Sequence, residues 1–509
     1  MVFGVGLIAL AGCTGRVPAA HTAQGRHSAT NRRIAAHTLA TGQERLAYSV
    51  RMDDLLSRIE VEVCPTGFRI ERLEAPSPGA QTLLAEGKIV TPEGDYPCPD
   101  EGVDLPGSKP DACLSYAVDL RKIATDPLGL RRVGRDLLAS PDSWLWVPTP
   151  RPAGLPMRVH FTLPKGLVAA MPWPALPTSA TPASAPTAPV ASATDFTLSE
   201  TAFAWKAGGA FTHTAPVAIP VPGGELEWTA LDAGFGEHTA AISAWLSEGA
   251  QASSLLFGHF PVSHALVIAV PGERVRSFGM ALRGGGPAVV LLLDSGVTTD
   301  RLASDWTCTH EFLHLGVPRL PPEDSWLFEG LATYYTEVVR ARAGLISPAL
   351  AYQHLLDGFE RGRRNGGLRT LRQESAEMRE NHAFYRVYWA GAALAFLTDI
   401  AARRAGGTTL DSALRSFAEC CAASEEDWDA ERVLAHLDAS LGTPRFATLA
   451  HTWLDRAAFP ELGDALRDLG VLPGTPNGAR LVRAPHEALR DAIMARASQP
   501  RADGEPHER

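Results

Sequence analysis

The chain has 509 residues, 45% apolar and 20% charged, a composition that excludes wholesale disorder and collagen-like sequence. That length exceeds what a single hydrophobic core organises, so two or more domains are expected. Lys+Arg 47 against Asp+Glu 57 leave a formal charge of −10 without a concentrated basic stripe, which excludes nucleic acid as the main partner.

Val2 to Gly12 is apolar but far short of the roughly 20 residues that cross a bilayer as a helix. It reads as the core of a secretory signal. It ends in Leu10-Ala11-Gly12-Cys13, which resembles a bacterial lipobox. That resemblance implies a signal over 1–13, a lipid on Cys13 that anchors the chain to a membrane, and a place in the cell envelope, periplasmic or at the outer surface. An ordinary secretory signal is the alternative. Residues 14–44 are polar and read as a tether.

Export favours disulfides. Cys64, Cys98 and Cys113 lie close enough in sequence for two of them to pair, without fixing which two. Cys308 reads as a small buried residue, and the adjacent Cys420 and Cys421 as a pair that can close on itself.

From about 45 to 165 the apolar period is nearer 2 than 3.6, as in Ile59-Val61-Val63, Leu114-Tyr116-Val118 and Met157-Val159-Phe161. With Pro/Gly-rich turns between, this predicts an antiparallel β-sandwich within a β-rich domain over 45–224. An Ala/Pro/Ser/Thr-rich linker is expected near 172–194. A second domain is expected over 225–475. It starts with a helix near Ala240–Leu246 and buried strands at Ala265–Val270 and Ala288–Leu293. Helices then dominate, at about 299–315, 325–344, 348–362, 384–405 and 409–420. Residues 476–509 read as an extension with a disordered tail.

Within the first of those helices stands His310-Glu311-Phe312-Leu313-His314. Residues i and i+4 share a helix face, so both imidazoles can reach one ion, with Glu311 beside it to take a proton from a metal-activated water. Catalytic zinc wants three protein ligands and an open position. Glu329, in Trp326-Leu327-Phe328-Glu329-Gly330-Leu331-Ala332-Thr333-Tyr334-Tyr335, heads the next helix after a proline-rich loop over 315–328 and completes a His₂Glu set.

These two segments resemble the gluzincin metallopeptidases, most of all the glycyl aminopeptidase family related to aminopeptidase N. Leu256-Phe257-Gly258-His259-Phe260-Pro261, Tyr388-Trp389-Ala390-Gly391-Ala392 and Ala458-Phe459-Pro460-Glu461-Leu462 extend the resemblance. It implies an α+β multidomain chain, with the β-sandwich followed by a mainly helical, thermolysin-like catalytic domain. It implies one Zn²⁺ on His310, His314 and Glu329, general-base action by Glu311, and a peptide or protein substrate. It also implies oxyanion stabilisation by a tyrosine matching Tyr388, for which Tyr385 and His382 are competing donors. In such aminopeptidases an acid on a glycine-rich strand binds the substrate's free amine; the matching stretch Gly279 to Gly286 carries none, so exo- and endopeptidase action both stay open. A lipid-anchored binding protein that kept the fold without turnover is the alternative reading. An HExxH arising by coincidence in a structural envelope protein is a third.

Overall fold

A computed structural model describes residues 42–123, 129–176, 194–273, 276–443 and 445–497. Cys13, nearly all of the expected tether and the last residues of the extension lie outside them. No helix among the described residues is long and apolar enough to cross a membrane.

The largest sheet has seven strands, in the order Asp195–Leu198, Met157–Thr162, Arg45–Met52, Arg58–Thr66, Leu114–Asp119, Lys88–Thr91 and Gly94–Pro97. Strict alternation of burial along Arg45–Met52 and Met157–Thr162 follows from their alternating side chains. Their inward face meets a four-stranded sheet through an aromatic cluster, with Phe161 set against Phe211 at 5.7 Å and against Trp173 at 6.3 Å. The sandwich is mixed rather than purely antiparallel, because Arg45–Met52 and Met157–Thr162 run parallel. Alternation specifies which face is buried but not the direction of the neighbour. Cys64 pairs with Cys113, and Cys98 is free and buried. Trp173, at 2% exposure, belongs to this core although it falls within the stretch expected to be linker, and residues 177–193 of that stretch lie outside the described residues.

A second sheet of five strands runs Val217–Val221, Gly224–Ala230, His264–Gly272, Ala288–Asp294 and Phe278–Leu282. Its first two strands form a hairpin that straddles the expected boundary at 224. Ala265 to Val270 are fully buried, as a continuous apolar run in parallel pairing requires. One face of this sheet packs on the helix Thr239–Phe257 and the helix Thr307–His314. On the other face Leu266, Ile268, Val270 and Val290 share a core with Val133, Leu138, Ala170 and Ala210 of the four-stranded sheet.

The helices from Ser325 onward form one core around Ser325–Ala343 and Phe384–Arg404. These two cross backbone against backbone. A Cβ on Gly330 would stand 2.4 Å from the Gly391 carbonyl carbon, and one on Gly391 would stand 1.8 Å from the Trp326 oxygen. The extension also packs: Gly478–Leu481 pairs with Val471–Thr475, and Ile493 is fully buried in the helix Glu487–Ile493. Its carbonyl accepts from Arg342 at 2.9 Å.

Candidate metal centre

The helix expected over 299–315 is two helices, Thr299–Ser304 and Thr307–His314. Asp305 takes an extended conformation, and its carboxylate accepts from the Thr307 N–H at 2.8 Å. A short acid that can bond a nearby backbone amide competes with helix continuation and starts the next helix instead. The eight-residue helix that results is buried along its whole length. Cys308 faces away from the histidines, with its sulfur 3.6 Å from the Trp245 carbonyl.

His310, His314 and Glu329 converge. The two Nε2 atoms are 3.2 Å apart, and each lies 3.3 Å from Glu329 Oε2. A tetrahedral ion with bonds of about 2.0–2.1 Å sets its ligand atoms roughly 3.3–3.4 Å apart. Two imidazole nitrogens and a carboxylate oxygen at that spacing are the donor set and the triangle that zinc takes. Burial alone would raise the Glu329 pKa, but the two imidazoles and their hydrogen bonds more than offset it and hold the carboxyl well below its usual range.

The rest of the chain fixes these groups. The Thr336 hydroxyl donates to the Ala332 carbonyl at 2.7 Å, so it accepts from His310 Nδ1 at 3.3 Å and leaves Nε2 as the ligand atom. The His314 ring stacks on Phe328 with centroids 4.1 Å apart. Arg283, in the glycine-rich stretch, turns its guanidinium to the end of the motif helix. It donates to the carbonyls of His314 at 2.9 Å, Val317 at 2.6 Å and Ala422 at 2.8 Å. Burial lowers its pKa to about 10, so it stays charged at neutral pH. Sequence reading missed both roles; for Thr336 the signal was there, since it follows Glu329 by two helical turns on the same face.

Glu311 is 7% exposed and accepts from the Ala281 N–H of the edge strand Phe278–Leu282 at 2.8 Å. The strand approaches so closely that a Cβ on Gly279 would lie 2.4 Å from Glu311 Cγ. Burial pushes the Glu311 pKa up to about 7, His310 pulls against it, and Glu329 adds to it.

Tyr388 lies over this group, its ring stacked on His310 with centroids 6.2 Å apart. Burial first, then the carboxylates of Glu329 and Glu311, raise its hydroxyl pKa well above the usual value, so it remains a donor. Tyr385 is 37% exposed and sits under Arg361 instead. His382 is exposed, with its ring 6.4 Å from Phe384. The structure therefore brings Tyr388 to the triad and leaves the two competing donors aside. Trp306, set edge-on to His310 at 5.3 Å, and Phe384, 6.5 Å from Tyr388, are exposed apolar side chains beside the triad.

No protein-family model and no curated protein matches the chain. Solved structures do. An aminopeptidase N family protein from Idiomarina loihiensis aligns with TM-score 0.66 and 15% identity over 84% of this chain and 78% of its own. An M1 zinc metallopeptidase from Deinococcus radiodurans aligns with TM-score 0.51 and 17% identity over 82% and 94%. A yeast LTA4 hydrolase aligns with TM-score 0.52 and 12% identity over 84% and 71%. The α+β architecture, with a β-rich N-terminal part and a helical C-terminal part, is thus that of the M1 aminopeptidases.

Proposed function

We propose that the chain is a zinc-dependent peptide hydrolase of the bacterial cell envelope, anchored by a lipid on Cys13. The observation that carries the hydrolytic reading is the triangle of His310, His314 and Glu329, with the carboxylate of Glu311 and the phenol of Tyr388 beside it. The names of the structural relatives, a zinc metallopeptidase and an aminopeptidase N family protein, support it. The envelope location rests on the lipobox-like Leu10-Ala11-Gly12-Cys13 alone.

Zinc held by the triad would supply a Lewis acid that acidifies water and polarises a carbonyl. Glu311 accepts the proton of the attacking water and returns it to the leaving amine. The Ala281 N–H orients that carboxylate through Oε2. Tyr388 donates toward the oxygen on which negative charge grows, at a site where water is largely excluded.

Metal analysis of the full chain tests this. About one zinc per chain is expected, much weakened in Glu329→Ala. Glu311→Gln should retain the metal and lose peptide hydrolysis by about 10²–10⁴-fold, the range for a general base. A metal-free wild type after reconstitution at neutral pH, or a Glu311→Gln variant with full turnover, would overturn the reading.

A further inference from the structure

A second set of metal-binding side chains closes the helix Leu410–Cys421. The sulfurs of Cys420 and Cys421 and a ring nitrogen of His436 lie within 4.8 Å of one another. Cys420 and His436 are exposed and Cys421 is 8% exposed, so a dissolved ion reaches the group.

His436 comes from the following helix, Ala430–Leu441, and is placed by packing. Its ring sits 5.3 Å from that of Trp428 and 5.9 Å from that of Phe417. Trp428 is itself held by Arg432, 3.8 Å above its ring, and by a 3.0 Å bond from its indole N–H to the Ser424 hydroxyl. His436 makes no hydrogen bond or ion pair among the described residues. An imidazole packed against two aromatic rings, with neither nitrogen bonded among the described residues, faces the two sulfurs.

The two sulfurs are joined in a disulfide, and in that state neither is a thiolate ligand. We propose that Cys420, Cys421 and His436 form a second, redox-gated metal site for a thiophilic cation, zinc or cuprous ion. An external dithiol opens it. The Sγ–Sγ bond breaks, two electrons and two protons pass from the dithiol to the cysteines, and the dithiol closes to its own disulfide. Metal binding then displaces both thiol protons and leaves two thiolates and a neutral imidazole on the ion. Soft sulfur donors select cuprous ion and zinc over calcium or magnesium, and a set of two sulfurs and one nitrogen satisfies cuprous ion, or zinc with one water. The other sulfur-containing group among the described residues, Glu62 with Cys64 and Cys113, lacks the imidazole, and its disulfide ties Cys64 of one strand to Cys113, which immediately precedes the neighbouring strand Leu114–Asp119.

Cadmium titration of the full-length chain tests the proposal, because a thiolate-to-cadmium charge-transfer band reports sulfur sites and is blind to the His₂Glu triad. Protein reduced with a thiol-free phosphine should develop the band to about one equivalent, and untreated protein should show none. Cys420→Ser with Cys421→Ser should abolish it. His436→Ala should weaken binding by about tenfold or more, while Cys64→Ser with Cys113→Ser should leave the band in place. Competition by zinc and by cuprous ion, run separately, identifies the ion. A band that survives the loss of Cys420 and Cys421, is indifferent to His436, or is displaced by neither ion would overturn the assignment. Circular dichroism of each variant separates loss of the site from loss of the fold.

Discussion

Glu311 shows how one side chain is set between two demands. It must be ionised to accept a proton, yet burial favours its neutral form and His310 and the Ala281 N–H favour its charged form. A cation held by the adjacent triad would pull the pKa down from about 7, while burial opposes a fall below the ordinary 4.5. Because the protonated form cannot act as base, kcat/KM should fall toward low pH with a midpoint between these two values. A profile flat down to pH 4.5 would remove Glu311 from that role. Thr336 acts one shell further out. Thr336→Val leaves His310 Nδ1 without its acceptor, and such second partners are worth about 10–100-fold in metal affinity. Competition with a zinc chelator should show a loss in that range without a change in secondary structure.

At the scale of elements, the site depends on how three pieces meet: the short motif helix, the edge strand and the crossing of two long helices. Gly330 and Gly391 allow that crossing, which sets Glu329 and Tyr388 on facing surfaces. Gly391→Ala forces a methyl group into the Trp326 carbonyl. It should cost about 1–3 kcal/mol, the usual penalty for overpacking, and lower the melting temperature accordingly. Unchanged stability would mean the helices part more easily than their contact implies. The HExxH spacing and the Glu-Gly pair after it were legible because ligand geometry constrains residue types at fixed intervals. The break at Asp305 was not, since Thr299 to Thr309 contains neither proline nor glycine and the interruption comes with one carboxylate accepting from one backbone amide. Nor was the direction of Met157–Thr162 beside Arg45–Met52, which no local periodicity encodes.

At the scale of the whole molecule, the C-terminal extension is part of the helical body. Residues past 475 supply a strand, a buried isoleucine and backbone acceptors for Arg342 and for Tyr352, whose hydroxyl donates to the Arg490 carbonyl at 2.9 Å. Their polar, arginine-rich composition gave no element to assign within the extension, because single apolar anchors such as Ile493 leave no periodic signature. Truncation after Thr475 should therefore lower the unfolding temperature by several degrees or more, read by calorimetry. A truncated chain as stable as the whole would show the packing to be dispensable.

The shared core between the four-stranded sheet and the back of the five-stranded sheet has a consequence for ancestry and design. Leu266, Ile268 and Val290 belong to the sheet whose edge strand touches Glu311, and they are covered by Val133 and Leu138 from the N-terminal part. The two parts are thus not interchangeable modules. A recombinant that joins this catalytic half to a different N-terminal half inherits an apolar face cut to another shape, with the mismatch two layers away from the reacting groups. Substitutions on either side of that seam are expected to be accepted in compensating pairs.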